Sequence, residues 1–248
     1  MIQYIYYVLK NCGEINLRKY KILSVVSIVL NVILITCALL YVFVFKIDAK
    51  KIYNNSIQSI VEVKAVTEGI GESYGTGEII KSDGTIVTNA HVVTYARLGT
   101  TNEFKELYIR FASEEDYREV RLVKYDANID LAVLKLDGIK VKSLKTGNSD
   151  SLKSGDKVYA IGNTSNKGIG ISEGIISIAF VNIFYEDISR EVIQCDLTIA
   201  QGNSGGPLLN EKGKLVGITT FRIKDNSGNV IYGIVYCIPI NIVLDYIK

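Results

Sequence analysis

The chain contains one histidine, His91, which lies well upstream of a serine surrounded by glycines. That serine is Ser204, within Gly202–Leu208 (GNSGGPL). A serine hydroxyl is a weak nucleophile at neutral pH, and it needs an imidazole to accept its proton. Because only His91 can supply that imidazole, a fold that uses Ser204 must bring the two distant segments together. The pair indicates a serine peptidase.

The order of the candidate residues selects among the folds that support this chemistry. Gly202–Gly206 (GNSGG) also satisfies the Gly-x-Ser-x-Gly motif of the α/β-hydrolases, whose residue order is serine, acid, histidine. No histidine follows Ser204, so that fold is excluded. The chymotrypsin-like order of histidine, aspartate and serine remains.

The aspartate must then lie between His91 and Ser204. Asp130 is the best candidate, because it directly precedes Leu131–Leu136, an apolar run that is typical of a buried strand. Asp126 competes with it, but the surroundings of Asp126 (YDAN) are typical of a solvated turn.

The glycines around the serine predict a second part of the site. Acyl transfer needs hydrogen-bond donors that stabilise the oxyanion, and losing one such donor typically lowers the rate by roughly 10²–10³-fold. The two main-chain N–H groups of a Gly-x-Ser turn can converge on one point. We therefore expect Gly202 and Ser204 to form the oxyanion hole.

Short runs rich in valine, isoleucine, tyrosine and threonine dominate the C-terminal part of the chain, and they predict strands. The predicted strands are Gly77–Ile80, Thr85–Thr88, Leu107–Phe111, Val120–Val123, Leu131–Leu136, Lys157–Ile161, Gly174–Phe180, Val192–Leu197, Leu215–Phe221 and Tyr232–Ile238. The predicted turns are Asp83-Gly84, Ser154-Gly155, Lys212-Gly213 and Ser227-Gly228. This pattern favours an all-β barrel or sandwich, followed by a closing helix at Asn241–Lys248 with Asn241 as its N-cap.

The N-terminal part contains a long apolar segment. Residues 22–45 carry no formal charge, and a membrane-spanning helix needs about 20 apolar residues. We therefore expect a tail at 1–21, a transmembrane helix at 22–45, a charged linker at 46–57 and a peptidase domain at 58–248. A cleaved signal peptide is the alternative, but its apolar region is usually only about 7–15 residues long.

Basic residues flank both ends of the apolar segment, so the charges leave its orientation in the membrane open. Lys19 and Lys21 precede it, and Lys46 and Lys50 follow it. We expect a single-pass cell-membrane protein with its tail in the cytoplasm and its peptidase domain outside, on the functional ground that such a peptidase acts there.

The remaining composition excludes several classes of function. The net charge is +2 and no basic cluster occurs, which argues against a nucleic-acid-binding protein. The four cysteines form no Cys-x-x-Cys pair and no cluster with the histidine, so we expect neither a metal site nor a cofactor. Cys195 and Cys237 are expected to be buried thiols, with a disulfide between them as the open alternative.

Three sequence blocks follow one another along the chain. They are Gly75–Val93 (GTGEIIKSDGTIVTNAHVV), Asp130–Lys135 (DLAVLK) and Gly202–Asn210 (GNSGGPLLN). Together they resemble the trypsin-like peptidase domain of the HtrA/Deg family, over nearly all of residues 58–248. The resemblance implies an all-β chymotrypsin fold of two six-stranded antiparallel barrels. It also implies His91 as general base, Asp130 as the acid that orients it and Ser204 as nucleophile, in the cleft between the barrels.

The resemblance also implies substrate-binding positions. Ile199 matches the residue that lines the pocket for the side chain before the cleaved bond, which favours small aliphatic residues. Thr220 matches the hydroxyl residue that supports the acid, and the backbone around Phe221 would pair with substrate as an added strand. A core isoleucine and a strand threonine are the alternatives for the first two positions.

The chain departs from the family pattern in two places. Most members carry a PDZ domain after the peptidase domain, whereas this sequence ends at Lys248, so we expect none here. Ala200-Gln201 replaces the usual Asn-Pro before the serine block. Asn203 stands where digestive relatives carry an aspartate that binds a new N-terminus, so activation by N-terminal cleavage is not expected. Many members form trimers, and a homo-trimer is open here.

These features predict a membrane-tethered serine endopeptidase whose substrates are unfolded or envelope proteins or peptides. The alternative is a catalytically idle peptide-binding or scaffolding protein with the same fold. Turnover of an unfolded protein that is lost in Ser204→Ala separates the two.

Overall fold

The computed structural model describes residues 1–45, 48–164, 167–185, 188–224 and 230–248. The chain divides into two compact units, residues 1–46 and residues 47–248. The predicted turn at Ser227-Gly228 lies outside the described residues, as do the first two residues of the predicted linker.

The first unit is a single helix, α1 (Ile2–Phe45). Within it, Lys19–Leu40 is a stretch of 22 residues that is long and apolar enough to cross a membrane; its 18-residue apolar window has a mean hydropathy of 2.7. The predicted tail at 1–21 and the predicted span at 22–45 therefore belong to one continuous helix.

The second unit begins with structure in the segment that the sequence analysis assigned to a linker. Asp48 caps a short helix, α2 (Ala49–Ser56), by accepting a hydrogen bond from the main-chain N–H of Lys51. Ile52 is 1% exposed and belongs to the core described below. The Tyr53 hydroxyl donates to the carbonyl of Ile169 over 2.9 Å. This segment packs as part of the β-rich unit.

The first half of the β-rich unit is a curled sheet that we call the first barrel. Its elements are β1 (Ile60–Thr67), β2 (Gly71–Lys81), β3 (Thr85–Thr88), α3 (Ala90–Val93), β4 (Thr94–Arg97), β5 (Thr100–Glu103), β6 (Glu106–Phe111), β7 (Arg118–Glu119), β8 (Arg121–Asp126) and β9 (Leu131–Lys135). Strands β4 and β5 form a separate hairpin, and the other strands pair in the order β7-β6-β1-β2-β3-β9-β8.

The two edges of this sheet are joined through one residue. Strands β7 and β8 lie at opposite edges, yet only Val120 separates them along the chain. The sheet must therefore curl round on itself, and the Val120 N–H donates to the Leu107 carbonyl over 2.9 Å at the junction. Counted as one bent strand, β7 and β8 make this the first of the two predicted six-stranded barrels.

The second half is a closed barrel, which we call the second barrel. Its strands are β10 (Lys157–Asn163), β11 (Ile169–Tyr185), β12 (Ile188–Asp196), β13 (Pro207–Asn210), β14 (Leu215–Lys224) and β15 (Val230–Pro239). They close in the order β10-β11-β12-β15-β14-β13. A helix, α4 (Ile240–Tyr246), follows. The all-β chymotrypsin fold expected from the resemblance is confirmed.

Three apolar clusters hold the unit together. One fills the first barrel and includes Val63, Ile86 and Leu134, and a second fills the second barrel. The third lies between the barrels, because it combines Val87 and Leu131 of the first with residues of the second such as Tyr159 and Leu209. The barrels thus share a continuous apolar contact that fixes the cleft between them.

The predicted strands all overlap observed ones. The structure also bears on the predicted helix cap and on the two cysteines of the β-rich unit. The closing helix begins at Ile240 with Pro239 as its cap residue, so the assignment of Asn241 as N-cap was wrong. The Asn241 amide instead donates to Asn148 Oδ1 over 2.8 Å. Cys195 and Cys237 are both buried and both free thiols in the structure.

Candidate active site

Strand register brings His91 to Asp130. In the antiparallel pair β3–β9, Thr88 lies opposite Ala132. The residues that follow β3 therefore meet those that precede β9. The Ala90 N–H donates to the Asp130 carbonyl over 3.1 Å, and the Asn89 amide donates to the same carbonyl over 2.9 Å. This clamp holds the Asp130 backbone beside the short helix α3 that carries the histidine.

The imidazole and the carboxylate form a close pair. His91 Nδ1 lies 2.8 Å from Asp130 Oδ2 and 3.1 Å from Oδ1. The main-chain N–H of His91 donates to Oδ1 over 3.0 Å. The histidine side chain is 49% exposed and the aspartate side chain 10% exposed. The other edge of the imidazole, which carries Nε2, is thus left for a second partner.

Burial and hydrogen bonds compete over the charge of Asp130. Burial by itself raises the pKa of this carboxyl, but hydrogen bonds from His91 and Thr220 and the nearby imidazole outweigh that effect and lower it below its ordinary value. The Thr220 hydroxyl contributes a bond of 2.5 Å to Oδ2. The carboxylate is therefore ionised at neutral pH, as a group that orients an imidazole needs to be.

The Asp130 backbone also adopts an unusual conformation. Its φ is +55°, in the left-handed region that non-glycine residues seldom occupy. Aspartate is among the residues that tolerate this region best. The conformation lies at the end of the turn between β8 and β9.

Ser204 reaches the same place from the second barrel. Ser204 precedes β13. Because Pro207 pairs with Ile218 on β14, the residues before Pro207 lie beside those that follow Ile218. The Gly205 N–H donates to the Thr219 carbonyl over 2.8 Å, and the Ser204 hydroxyl donates to the Thr220 carbonyl over 3.0 Å. Thr220 therefore contacts Asp130 through its hydroxyl and Ser204 through its carbonyl.

A glycine marks how closely the two barrels approach here. A Cβ added to Gly75 would lie 2.6 Å from Val92 Cγ2 and 2.9 Å from the carbonyl oxygen of Ser204. Only glycine fits between the residue that follows His91 and the backbone of Ser204. Among the described residues, no hydrogen bond joins His91 to Ser204 directly.

The predicted oxyanion donors are the main-chain N–H groups of Gly202 and Ser204. Gly202 and Ser204 donate to no main-chain acceptor within the described ranges. Gly202 has a φ of +93°, a conformation that requires glycine. The intervening Asn203 N–H instead donates to the Ala200 carbonyl over 3.1 Å. The Gly202 and Ser204 N–H groups therefore flank the Asn203 N–H, which already has an acceptor.

The predicted substrate-binding residues differ in position. Thr220 is 2% exposed and bonded to Asp130, as described above. Ile199 is 7% exposed and packs in the apolar cluster of the second barrel. Phe221 stacks edge-on against Tyr236 with 5.4 Å between ring centroids. A pocket role for Ile199 stays a prediction.

A cavity adjoins the histidine. It has a volume of about 330 Å³ and is lined by His91 and Asp130, by the β4–β5 hairpin through Tyr95 and Thr101, and by Phe221. A second, smaller cavity of about 90 Å³ also borders Asp130, together with Thr220 and Phe221. The larger cavity leaves open space beside the imidazole.

Two contacts near Asp130 escaped the sequence analysis. The Arg190 guanidinium, on β12, donates to the carbonyls of Asn128 over 2.6 Å and Ala127 over 3.0 Å. It thereby holds the turn that leads into Asp130. The Asn89 clamp was the second omission, although Asn89 stands within the quoted TNAHVV motif. No local pattern marks either residue, because both contacts depend on the fold.

No metal centre accompanies this arrangement in the part of the chain that the structure describes. There, no group of three or more histidine, cysteine or carboxylate side chains is placed to hold an ion.

Comparison with known proteins identifies the family. A family model described as "Trypsin-like peptidase domain" matches residues 75–218. This chain belongs to the trypsin-like peptidases. The matched region includes His91, Asp130 and Ser204. Their order along the chain differs from the order serine, acid, histidine of the α/β-hydrolases.

Curated relatives of this trypsin-like peptidase are named as serine endoproteases. A probable periplasmic serine endoprotease, DegP-like, from Pseudomonas putida (strain F1) is 37% identical over 174 residues, which cover 70% of this chain and 34% of the relative. The serine endoprotease DegS of Haemophilus influenzae is 34% identical over 177 residues, which cover 71% of this chain and 49% of the relative. The chain thus spans about a third to a half of the length of these relatives.

Solved structures of HtrA-type enzymes share the fold of this trypsin-like peptidase. The HtrA-type protease AlgW with a tripeptide is 28% identical, with a TM-score of 0.69 over 79% of this chain and 61% of that one. A serine endoprotease from Yersinia pestis is 28% identical, with a TM-score of 0.65 over 81% of this chain and 65% of that one.

Proposed function

We propose that this chain is a membrane-anchored serine endopeptidase that cleaves unfolded or envelope proteins through an acyl-enzyme. The observation that carries the proposal is the continuous path of contacts from His91 through Asp130 and Thr220 to Ser204. These are the residue types that nucleophilic serine catalysis requires, in the chain order of the chymotrypsin-like enzymes.

In the first half-reaction, Ser204 Oγ attacks the carbonyl carbon of the peptide bond. Its proton passes to His91 Nε2, while Asp130 holds the Nδ1–H and stabilises the imidazolium that forms. The carbonyl oxygen becomes an oxyanion, which the N–H groups of Gly202 and Ser204 stabilise. When the C–N bond breaks, the leaving amine takes the proton from Nε2 and an ester at Ser204 remains.

In the second half-reaction, water replaces the amine. His91 removes a proton from the water as it attacks the ester, and the same oxyanion donors stabilise the second tetrahedral intermediate. Collapse releases the carboxylic acid and returns the proton to Ser204 Oγ. Atoms and protons balance over the cycle without a cofactor.

The substrate binds in this proposal as an extended strand along β14. The pairing of β13 with β14 ends at Ile218, whereas β14 continues to Lys224. A peptide laid beside Phe221 can hydrogen-bond to the backbone there, as in other cases of β-strand addition. Its side chains then reach the cavity beside His91. A backbone-directed mode of this kind suits unfolded chains of varied sequence.

We further propose that the apolar helix α1 anchors the enzyme in the cell membrane, with the β-rich unit on the extracytoplasmic side. The stretch Lys19–Leu40 supports the anchor, and a relative named as a periplasmic endoprotease supports the side. The proposal includes a homo-trimer, because many members of the HtrA/Deg family form trimers.

One observation favours a second candidate, an idle peptide-binding protein. The Ser204 hydroxyl is bonded to the Thr220 carbonyl and not to His91. A site that stayed in this arrangement would hold peptides without cleaving them.

Hydrolysis of an unfolded protein separates the two candidates. The full chain, purified in detergent, should release fragments from fluorescein-labelled casein, and Ser204→Ala should abolish the release. Ser151→Ala, which alters an exposed serine bonded only to its own turn, is the matched control and should cleave casein at the wild-type rate. Equal fragment release by wild type and Ser204→Ala would refute the peptidase.

A further inference from the structure

Thr76 contacts the loop of the second barrel that carries the nucleophile. We call this loop, residues 202–206, the serine loop. Thr76 lies on β2 and is 0% exposed. Its hydroxyl donates to the carbonyl of Gly202 over 2.6 Å, although Gly202 lies 126 positions away along the chain. The same hydroxyl accepts a hydrogen bond of 2.9 Å from the Asn163 N–H. Its main-chain N–H donates to the Ser204 carbonyl over 2.9 Å.

The Thr76 hydroxyl both donates and accepts a hydrogen bond. A hydroxyl has one hydrogen to donate and can accept at its lone pairs. Because the Gly202 carbonyl can only accept and the Asn163 N–H can only donate, the two roles are assigned without ambiguity. Serine could take over both bonds, whereas valine, which has the same shape, could take over neither.

These bonds orient the peptide planes of the serine loop. A peptide unit is planar and trans, so its carbonyl and its N–H point in opposite directions. Holding the Gly202 carbonyl fixes one peptide plane, and holding the Ser204 carbonyl fixes another. The intervening Asn203 carbonyl accepts from the Thr219 hydroxyl over 2.7 Å. The Ser204 N–H, in the same peptide as that carbonyl, therefore points away from Thr219.

The Gly202 N–H depends on the same anchor. The Gly202 N–H belongs to the preceding peptide unit, which it shares with the Gln201 carbonyl, so the bond to Thr76 restrains it through the Cα of Gly202, whose φ stands at +93°. Releasing the Gly202 carbonyl would free the Gly202–Asn203 peptide unit and remove that restraint. Because glycine has no Cβ, nothing in the residue itself would keep it in place.

We infer that Thr76 is a positioning residue that keeps the oxyanion donors Gly202 and Ser204 aimed at the reacting carbonyl. The inference rests on the proposed function and adds a residue of the opposite barrel to it. Thr76 touches no substrate atom in this scheme and acts through the loop. It makes the geometry of the oxyanion hole depend on the contact between the two barrels.

The test compares three variants of the full chain in detergent with the wild type. Thr76→Val removes the hydroxyl at constant shape, and Thr76→Ser keeps it. Thr67→Val is the matched control, because Thr67 is a buried threonine of the first barrel whose hydroxyl accepts from the Lys105 N–H, away from the serine loop. The readouts are kcat and KM on labelled casein and the unfolding temperature.

For Thr76→Val we expect kcat to fall by about 10-fold or more, since loss of one oxyanion donor costs roughly 10²–10³-fold. KM should stay at the wild-type value, because the substrate strand is not altered. Thr76→Ser should restore kcat, and Thr67→Val should retain it. If Thr76→Val does not fold, Thr76→Ala replaces it in the same comparison.

Three results would overturn the inference: wild-type kcat in Thr76→Val, failure of Thr76→Ser to restore kcat, or an equal loss of kcat in Thr67→Val. Each of these requires an active wild type, so each leaves the proposed function standing. A wild type without activity on casein would instead remove the proposed function, and the inference with it.

Discussion

The hydroxyl of Ser204 donates its hydrogen to the carbonyl oxygen of Thr220, 3.0 Å away. In this arrangement the proton that must pass to the imidazole is directed elsewhere. Rotation about the Cα–Cβ bond of a serine takes picoseconds to nanoseconds in exposed positions, so the contact is not a kinetic obstacle. A substrate strand beside β14 would offer its own N–H to the Thr220 carbonyl and release the hydroxyl towards His91.

The Thr220 hydroxyl provides the first prediction. Thr220→Val keeps the carbonyl that receives Ser204 but removes the donor to Asp130. Hydrogen bonds to charged groups contribute about 1.5–3 kcal/mol, so kcat should fall by about 10-fold or more. Thr220→Ser should stay near the wild type. Steady-state hydrolysis of casein by the three proteins is the measurement, and a fully active Thr220→Val would show that the bond has no catalytic consequence.

Replacement of the proposed acid is the second prediction. In Asp130→Asn the amide donates to Nδ1, which moves the imidazole proton to Nε2, where it blocks transfer from Ser204. A decrease in kcat of about 10⁴ is expected. Asp126→Asn changes the competing carboxylate, which only caps its own turn by accepting from the Asn128 N–H. It should retain wild-type kcat; the reverse ranking of the two variants would reassign the acid.

The N-terminal boundary of the β-rich unit leads to the third prediction. Ile52 is buried in the cluster between the barrels, although it lies in the predicted linker. Truncation of a buried isoleucine to alanine costs about 2–5 kcal/mol of stability. Ile52→Ala should therefore unfold at clearly lower denaturant concentration than the wild type, while Lys50→Ala, at an exposed position of the same helix, should not. Equal midpoints for all three would mean that α2 does not pack on the core.

A buried carboxyl gives a prediction about pH. Glu78 is 0% exposed, and neither carboxyl oxygen has a hydrogen-bond partner among the described residues. Burial raises the pKa of Glu78 well above its ordinary value. The folded chain therefore keeps a proton that the unfolded chain loses above about pH 4.3. Because the unfolded state then binds fewer protons, this group makes stability fall as pH rises.

Glu78→Gln removes that titration. The variant should gain unfolding temperature relative to the wild type as the pH is raised from about 4 to about 8, the range above the ordinary glutamate pKa. Glu72→Gln, on the same strand, is the control: the bond from Lys64 lowers the pKa of Glu72, and its side chain is 44% exposed. It should show no such gain. A constant difference between Glu78→Gln and wild type at every pH would contradict the assignment.

The residues for which we propose a chemical role could be named from the sequence, because reactivity restricts their type and each fold restricts their order. With one histidine in the chain, His91 had no rival, and the strand after Asp130 separated it from Asp126. The structure brings Asp130 to His91 and, through Thr220, to Ser204. The β texture likewise predicted barrels, since alternating short runs have few other ways to bury their apolar faces.

What escaped prediction depends on contacts between distant segments. Thr76 stood inside a quoted motif, but its bond to Gly202 exists only once the two barrels have packed. Ile52 sits among charged and polar neighbours that are typical of a linker, and only the docked helix reveals its burial. Val120 interrupts the strand that closes the first barrel, a bend that no local propensity marks.

The central claim is that His91 activates Ser204. The most direct measurement is mass-spectrometric mapping of the site that a fluorophosphonate probe modifies on the full chain in detergent. We expect modification of Ser204 in the wild type and its loss in His91→Ala. An unmodified Ser204 in the folded wild type, or equal modification in His91→Ala, would contradict it.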